Sequence, residues 1–138
     1  MDYKSSDTDI FEFRYFIFWQ AIGVLLIVMI TWLSLTPKPP NINLPIEWGD
    51  KLLHFSAYFT LMFWHGQIYR QFRSRLIWMF LFIAMGIGIE FLQGMGEARM
   101  FEWADAAANS VGALAAIFIL KTKMACWLIF FERRFIPR

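Results

Sequence analysis

Cysteine is nearly missing from this chain of 138 residues. Cys126 stands alone, which excludes a disulfide framework and a multi-thiolate metal site. Charge is scarce as well: Asp, Glu, Lys and Arg make up 17% of the residues, against roughly 25% in a soluble domain. Thirteen basic and 11 acidic side chains leave a formal net charge of +2, too little to mark a nucleic-acid partner. Apolar residues fill the space instead, at 59%, with 20% aromatic. That richness excludes a disordered chain. It is gathered into stretches close to the length that crosses hydrocarbon, so the expected class is an all-α polytopic membrane protein.

Four such stretches stand out, at residues 15–35, 52–69, 76–95 and 103–120. At about 1.5 Å rise per residue each covers about 27–31 Å, enough for a transmembrane helix. The second and fourth are less apolar, because His54, His65, Asp105 and Asn109 lie inside them. Residues 1–14 form a leader expected on the cytoplasmic side. Between the first two runs lie Pro37, Pro39, Pro40 and Pro45, which favour extended, semi-rigid backbone. The apolar run at 124–131 is too short to cross. With Arg133, Arg134 and Phe135 it reads as a helix lying on the membrane surface, within a basic and aromatic tail at 121–138. No small-x-small cleavage pattern precedes Thr36, so the first run is read as a permanent anchor rather than a secretory signal.

An even number of spans puts both termini on one side, and the basic residues are then unevenly shared. Lys4, Arg14, Arg70, Arg73, Arg75, Lys121, Lys123, Arg133, Arg134 and Arg138 fall on one side; Lys38, Lys51 and Arg99 fall on the other. This bias predicts cytoplasmic termini in a bacterial inner membrane.

Ionisable groups within hydrocarbon cost roughly 2.5–3.5 kcal/mol each on insertion scales, so each needs a reason. Asp50, Lys51 and His54 open the second run, Glu90 and Gln93 close the third, Arg99 follows, and Asp105 and Asn109 open the fourth. All belong to the extracytoplasmic end. Helical spacing puts Asp50, His54 and Tyr58 on one face, Glu90 and Gln93 on another, and Asp105, Asn109 and Gly112 on a third. Lipid does not solvate such stripes, so they are expected to face one another around a shallow outward pocket. The alanine- and glycine-rich fourth run is expected at the centre of the bundle, since small residues let helices approach closely, with Gly66, Gly86 and Gly88 accommodating it. The Phe-rich first run is expected at the periphery.

Asp50-Lys51-Leu52-Leu53-His54-Phe55, Glu90-x-x-Gln93, Arg99 and Asp105-x-x-x-Asn109-x-x-Gly112 together resemble the pattern of VanZ-like membrane proteins in order, spacing and helical placement. The resemblance covers about residues 30–120 and includes Ser34, Thr36 and Pro37 at the end of the first run. It implies a four-helix membrane protein linked to low-level glycopeptide (teicoplanin) resistance and envelope integrity.

Two readings of the polar residues follow. In one, the pocket recognises a cell-envelope lipid precursor or a complex of an envelope-targeting antibiotic, and Lys51 and Arg99 hold the phosphate of an anionic headgroup. His54, Glu90 and Asp105 are then the catalytic candidates for proton transfer, with Asp50 ordering the helix start and Gln93 and Asn109 orienting the others. Tyr58 completes the ligand-binding set. In the other reading the same groups form an interhelical network, Glu90 with Arg99 and Asp105 with Lys51, and Gln93, Asn109 and Tyr58 bridging helices. His54, Glu90 and Asp105 also have the chemistry of metal ligands, but no HExxH or similar paired motif accompanies them, so no metal or cofactor is expected. Ser56 and Ser110 sit in no nucleophile motif, and no lipid-phosphatase signature is present. His65 is expected at the interface near Arg70.

Overall fold

The computed structural model describes residues 9–36, 48–96 and 101–136. Arg99 and the expected extended proline segment lie outside the described residues. The described chain is helical apart from its connections and one isolated antiparallel bridge between Ile10 and Tyr69. The helices are α1 (Phe16–Leu35), α2 (Gly49–Ile68), α3 (Phe72–Gly94), α4 (Trp103–Ile119) and α5 (Trp127–Phe135), with a 3-10 turn over Lys123–Cys126 before the last. The first four coincide with the four apolar runs to within a few residues. Two of them, α1 and α3, are long and apolar enough to cross a membrane. Helix α2 fails that test through its polar side chains, and α4 through its length of 17 residues.

Exposure follows the chemistry of each helix. In α1 only Trp19, Gly23 and Ile30 are buried, and Ile17, Phe18, Val24, Leu25 and Val28 face outward. An all-apolar surface of this kind suits lipid, not water. In α3 the inward stripe is Met79, Phe82, Gly86, Ile89, Glu90 and Gln93, while Phe80, Leu81, Ile87 and Phe91 point out. The alternation places the expensive groups on the protein side.

The centre of the bundle differs from the expectation. Helix α4 packs along α2 and then α3, but α2 touches all four of the other helices. The reason lies in its side chains: Tyr58, His65 and Gln67 are buried at different points around α2 and need neighbours on several sides. The small residues of α4 still set the closest approach. A methyl group placed on Gly112 would lie 2.3 Å from the carbonyl oxygen of Phe55, so the α2 and α4 backbones meet there and only glycine fits. Gly86 and Gly66 also face packed neighbours, whereas Gly88 faces open space and takes no part in the helix contact.

Both chain ends described lie beside the α2–α3 connection. Ile10 bridges Tyr69, the Arg70 N–H donates to the Asp9 carbonyl at 2.7 Å, and the Ser74 hydroxyl donates to the Asp9 carboxylate at 2.6 Å. The α4 axis and the following 3-10/α5 segment are bent by 87°. This turns α5 across the end of the bundle, with Leu128, Ile129 and Glu132 inward and Trp127, Phe130 and Phe135 outward. His65, expected at an interface, is buried instead: its Nδ1 lies 2.8 Å from the Leu61 carbonyl and its ring packs against Trp78 and Phe82.

Candidate functional site

The opposite end gathers the N-termini of α2 and α4 with the last turns of α3. Lys51, in the first turn of α2, reaches Asp50 at 2.7 Å and Asp105 at 2.8 Å, and also contacts Glu102. One ammonium thus serves three carboxylates. Asp50 and Lys51 precede the apolar part of α2. Burial alone would pull the Lys51 ammonium down, but its bonds to Asp105, Asp50 and Glu102 outweigh that and hold it above its ordinary value. The same contact with Lys51 holds the Asp50 carboxyl below the usual range.

One turn deeper, His54 stands between two carboxylates. Its Nε2 is 3.5 Å from Asp105 Oδ2, and its Nδ1 is 3.9 Å from Glu90 Oε1 and 3.1 Å from Asn109 Oδ1. Below it, Tyr58 packs over Gly86 beside Asn109 and within electrostatic reach of Glu90. Its hydroxyl is buried with no hydrogen-bond partner among the described residues. Access grades with depth: the Lys51, His54 and Asp105 side chains are 20%, 18% and 15% exposed, whereas Glu90 is 2% exposed. The cluster has a partly exposed rim and a buried floor.

Of the residues selected from sequence, Lys51, His54, Tyr58, Glu90, Asp105 and Asn109 come together. Asp50 is on the outer rim, turned to Lys51 rather than to His54. Gln93 is buried but donates to the Ser34 carbonyl at the end of α1, joining α3 to α1. The Asp105–Lys51 pair is present; the expected partner of Glu90, Arg99, lies outside the described residues. Glu102 was not foreseen. It precedes α4, where an acid favours the helix N-terminus, and that position was its available signal.

Chemically, three features stand out. The rim presents acidic oxygens around a single lysine. His54 can carry a proton on either ring nitrogen, each facing an oxygen acceptor, and the hydroxyl of Tyr58 adds a buried donor. Such a set can hold a cation or pass a proton between rim and floor.

Comparison with known proteins adds little to this geometry. No family profile matches the chain, and no solved structure matches it. An uncharacterized protein of Schizosaccharomyces pombe is 28% identical over 102 residues, covering 72% of this chain and 60% of that protein. The chain therefore spans about 60% of the relative's length.

Proposed function

We propose that the chain is a VanZ-like inner-membrane protein that takes an envelope lipid precursor into the pocket around His54 and acts on its headgroup by proton transfer. The observation that carries this reading is the convergence of Lys51, His54, Glu90 and Asp105 from three helices at one end, with graded access from rim to floor. In this reading α1 to α4 all cross the bilayer. The polar faces of α2 and α4 turn inward, and Leu52, Val111, Leu114 and Phe118 meet lipid. The ends of the chain lie in the cytoplasm, as the basic residues favour, and α5 rests on the inner surface with Trp127 and Phe130 toward the headgroups.

His54 is the central group. It accepts a proton from a headgroup hydroxyl or phosphate and exchanges it with Asp105 at the rim, while Glu90 below and Asn109 beside it fix the ring. Lys51 is held by carboxylates already, so an anionic headgroup competes with Asp50 and Glu102 for it. That same arrangement favours a second reading, in which the cluster is an interhelical network with no ligand.

The test separates them. Wild-type protein purified in native-lipid nanodiscs is expected to retain an anionic lipid in native mass spectra. Glu90→Asp and Asp105→Glu, which keep the charge, are expected to lose it while accumulating in the membrane at near-normal levels. Undiminished lipid retention in both variants would overturn the pocket reading, and restoration of membrane accumulation by paired charge swaps would establish the network.

A further inference from the structure

The same end of the bundle brings together three side chains whose metal-ligand chemistry was visible in the sequence without a paired motif to support it. We infer that His54, Glu90 and Asp105 form a site for one divalent transition-metal ion of the zinc and manganese class. One donor atom from each lies within 4.8 Å of the others. Ligands about 2.1 Å from a shared ion are at most about 4.2 Å apart, so a small rotamer adjustment closes the shell. The His54 Nε2–Asp105 Oδ2 contact, at 3.5 Å, is already inside that limit, and Glu90, which lies 3.9 Å from the other ring nitrogen, reaches the same ion by rotation of its side chain or of the imidazole.

A buried donor and a histidine set among oxygen acceptors accompany these ligand atoms. The Tyr58 hydroxyl, on a side chain almost wholly buried and within electrostatic reach of Glu90, has no hydrogen-bond partner among the described residues. The ring of His54 also faces oxygen from both nitrogens. With the proton on Nδ1, the bare Nε2 meets Asp105; with the proton on Nε2, the bare Nδ1 meets Asn109 Oδ1 and Glu90. An imidazolium meets both sides with N–H donors, and a cation on one ring nitrogen takes the place of one of those protons.

The donor set selects the metal. One imidazole with two carboxylates suits zinc or manganese, whereas calcium and magnesium take oxygen ligands. The surroundings supply an outer shell: Lys51 holds Asp105 through Oδ1 and leaves Oδ2 directed at His54, while Asn109 Oδ1 fixes the ring. The partly exposed rim gives a path of entry. Three protein ligands leave a coordination position open, which a phosphate or a water can take. With the ion bound, His54 and Asp105 are ligands and no longer exchange a proton, so the ion takes the place of that relay at the same side chains, and its binding needs no lipid for its test.

The full chain, carrying a tag without histidine and Cys126→Ser to remove the thiol, is stripped with chelator in detergent and titrated with Zn2+ and with Mn2+ by calorimetry. Metal content is measured by mass spectrometry after dialysis. About one equivalent per chain is expected for at least one of the two ions. His54→Gln and Asp105→Asn are each expected to weaken binding by at least a hundredfold, and Lys51→Gln by about tenfold, the effect of an outer-shell partner. With Co2+ in place, the visible absorption bands of the wild type are expected to be lost in His54→Gln. Less than a tenth of an equivalent retained by the wild type, or equal binding by wild type and His54→Gln, would overturn the assignment. Metal bound with no lipid retained leaves the metal site standing and removes only the lipid reading.

Discussion

The two ends of the bundle both bury polar side chains, and they satisfy them differently. Beside the α2–α3 connection the partners are largely backbone groups. The Gln67 amide donates to the Met124 carbonyl at 2.6 Å and accepts from the Leu128 N–H at 3.0 Å. The Arg75 guanidinium donates to the carbonyls of Tyr69 and Leu120, where α2 and α4 end. Glu132 accepts from the N–H groups of Arg14 and Tyr15 at 2.8 and 3.2 Å and from the indole of Trp19, so a residue of α5 holds the backbone that leads into α1. At the other end side chains from separate helices engage one another: one lysine with three carboxylates, one histidine between two. Fixed backbone partners make joints, since donor and acceptor counts are matched. Groups that exchange partners among themselves make a site able to take up an ion or a proton.

That contrast is broken or sharpened by substitution. The largest effect is expected at the joint end. Glu132→Ala removes the acceptor of the Trp19 indole N–H and of the Arg14 and Tyr15 N–H groups just ahead of α1, a loss of about 3 kcal/mol for a buried charged acceptor; thermal unfolding in detergent checks it. Gly112→Ala, which forces α2 and α4 apart at Phe55, follows at about 1–3 kcal/mol, read from the same unfolding curves. Gln67→Leu is expected to cost about 1 kcal/mol, since two backbone groups lose a partner. At the site end His54→Gln is expected to change unfolding by less than about 1 kcal/mol while removing ligand or metal. A stability loss there as large as that of Glu132→Ala would erase the distinction between joint and site.

The helices were legible because four apolar runs are long, and the site because charged residues recur at helical spacing inside them. His54, Asp105 and Asn109 are conspicuous among apolar neighbours, and their spacing aligns them. Interhelical register was not legible. Nothing local tells that Gln93 turns to Ser34, or that α2 rather than α4 is the hub. Glu132 was hidden for a further reason. It stands next to Arg133 and Arg134 and reads as part of a solvated basic stretch, while its partners are 113 to 118 residues away in sequence. Gln67 and Arg75 were hidden similarly, since a side chain that caps backbone carries no mark of its partner. The residues of the cluster were singled out by the cost of charge in lipid, a property of single residues; the joints depend on pairings that only the folded chain specifies.

The hold of Glu132 on the approach to α1 has a consequence for synthesis. A nascent chain completes α1 well before residue 132 leaves the ribosome, so the Arg14 and Tyr15 N–H groups ahead of the first helix start without their carboxylate acceptor. Closure of that end waits for α5 to be made, and a stop codon before it would leave the entry to α1 without its carboxylate clasp.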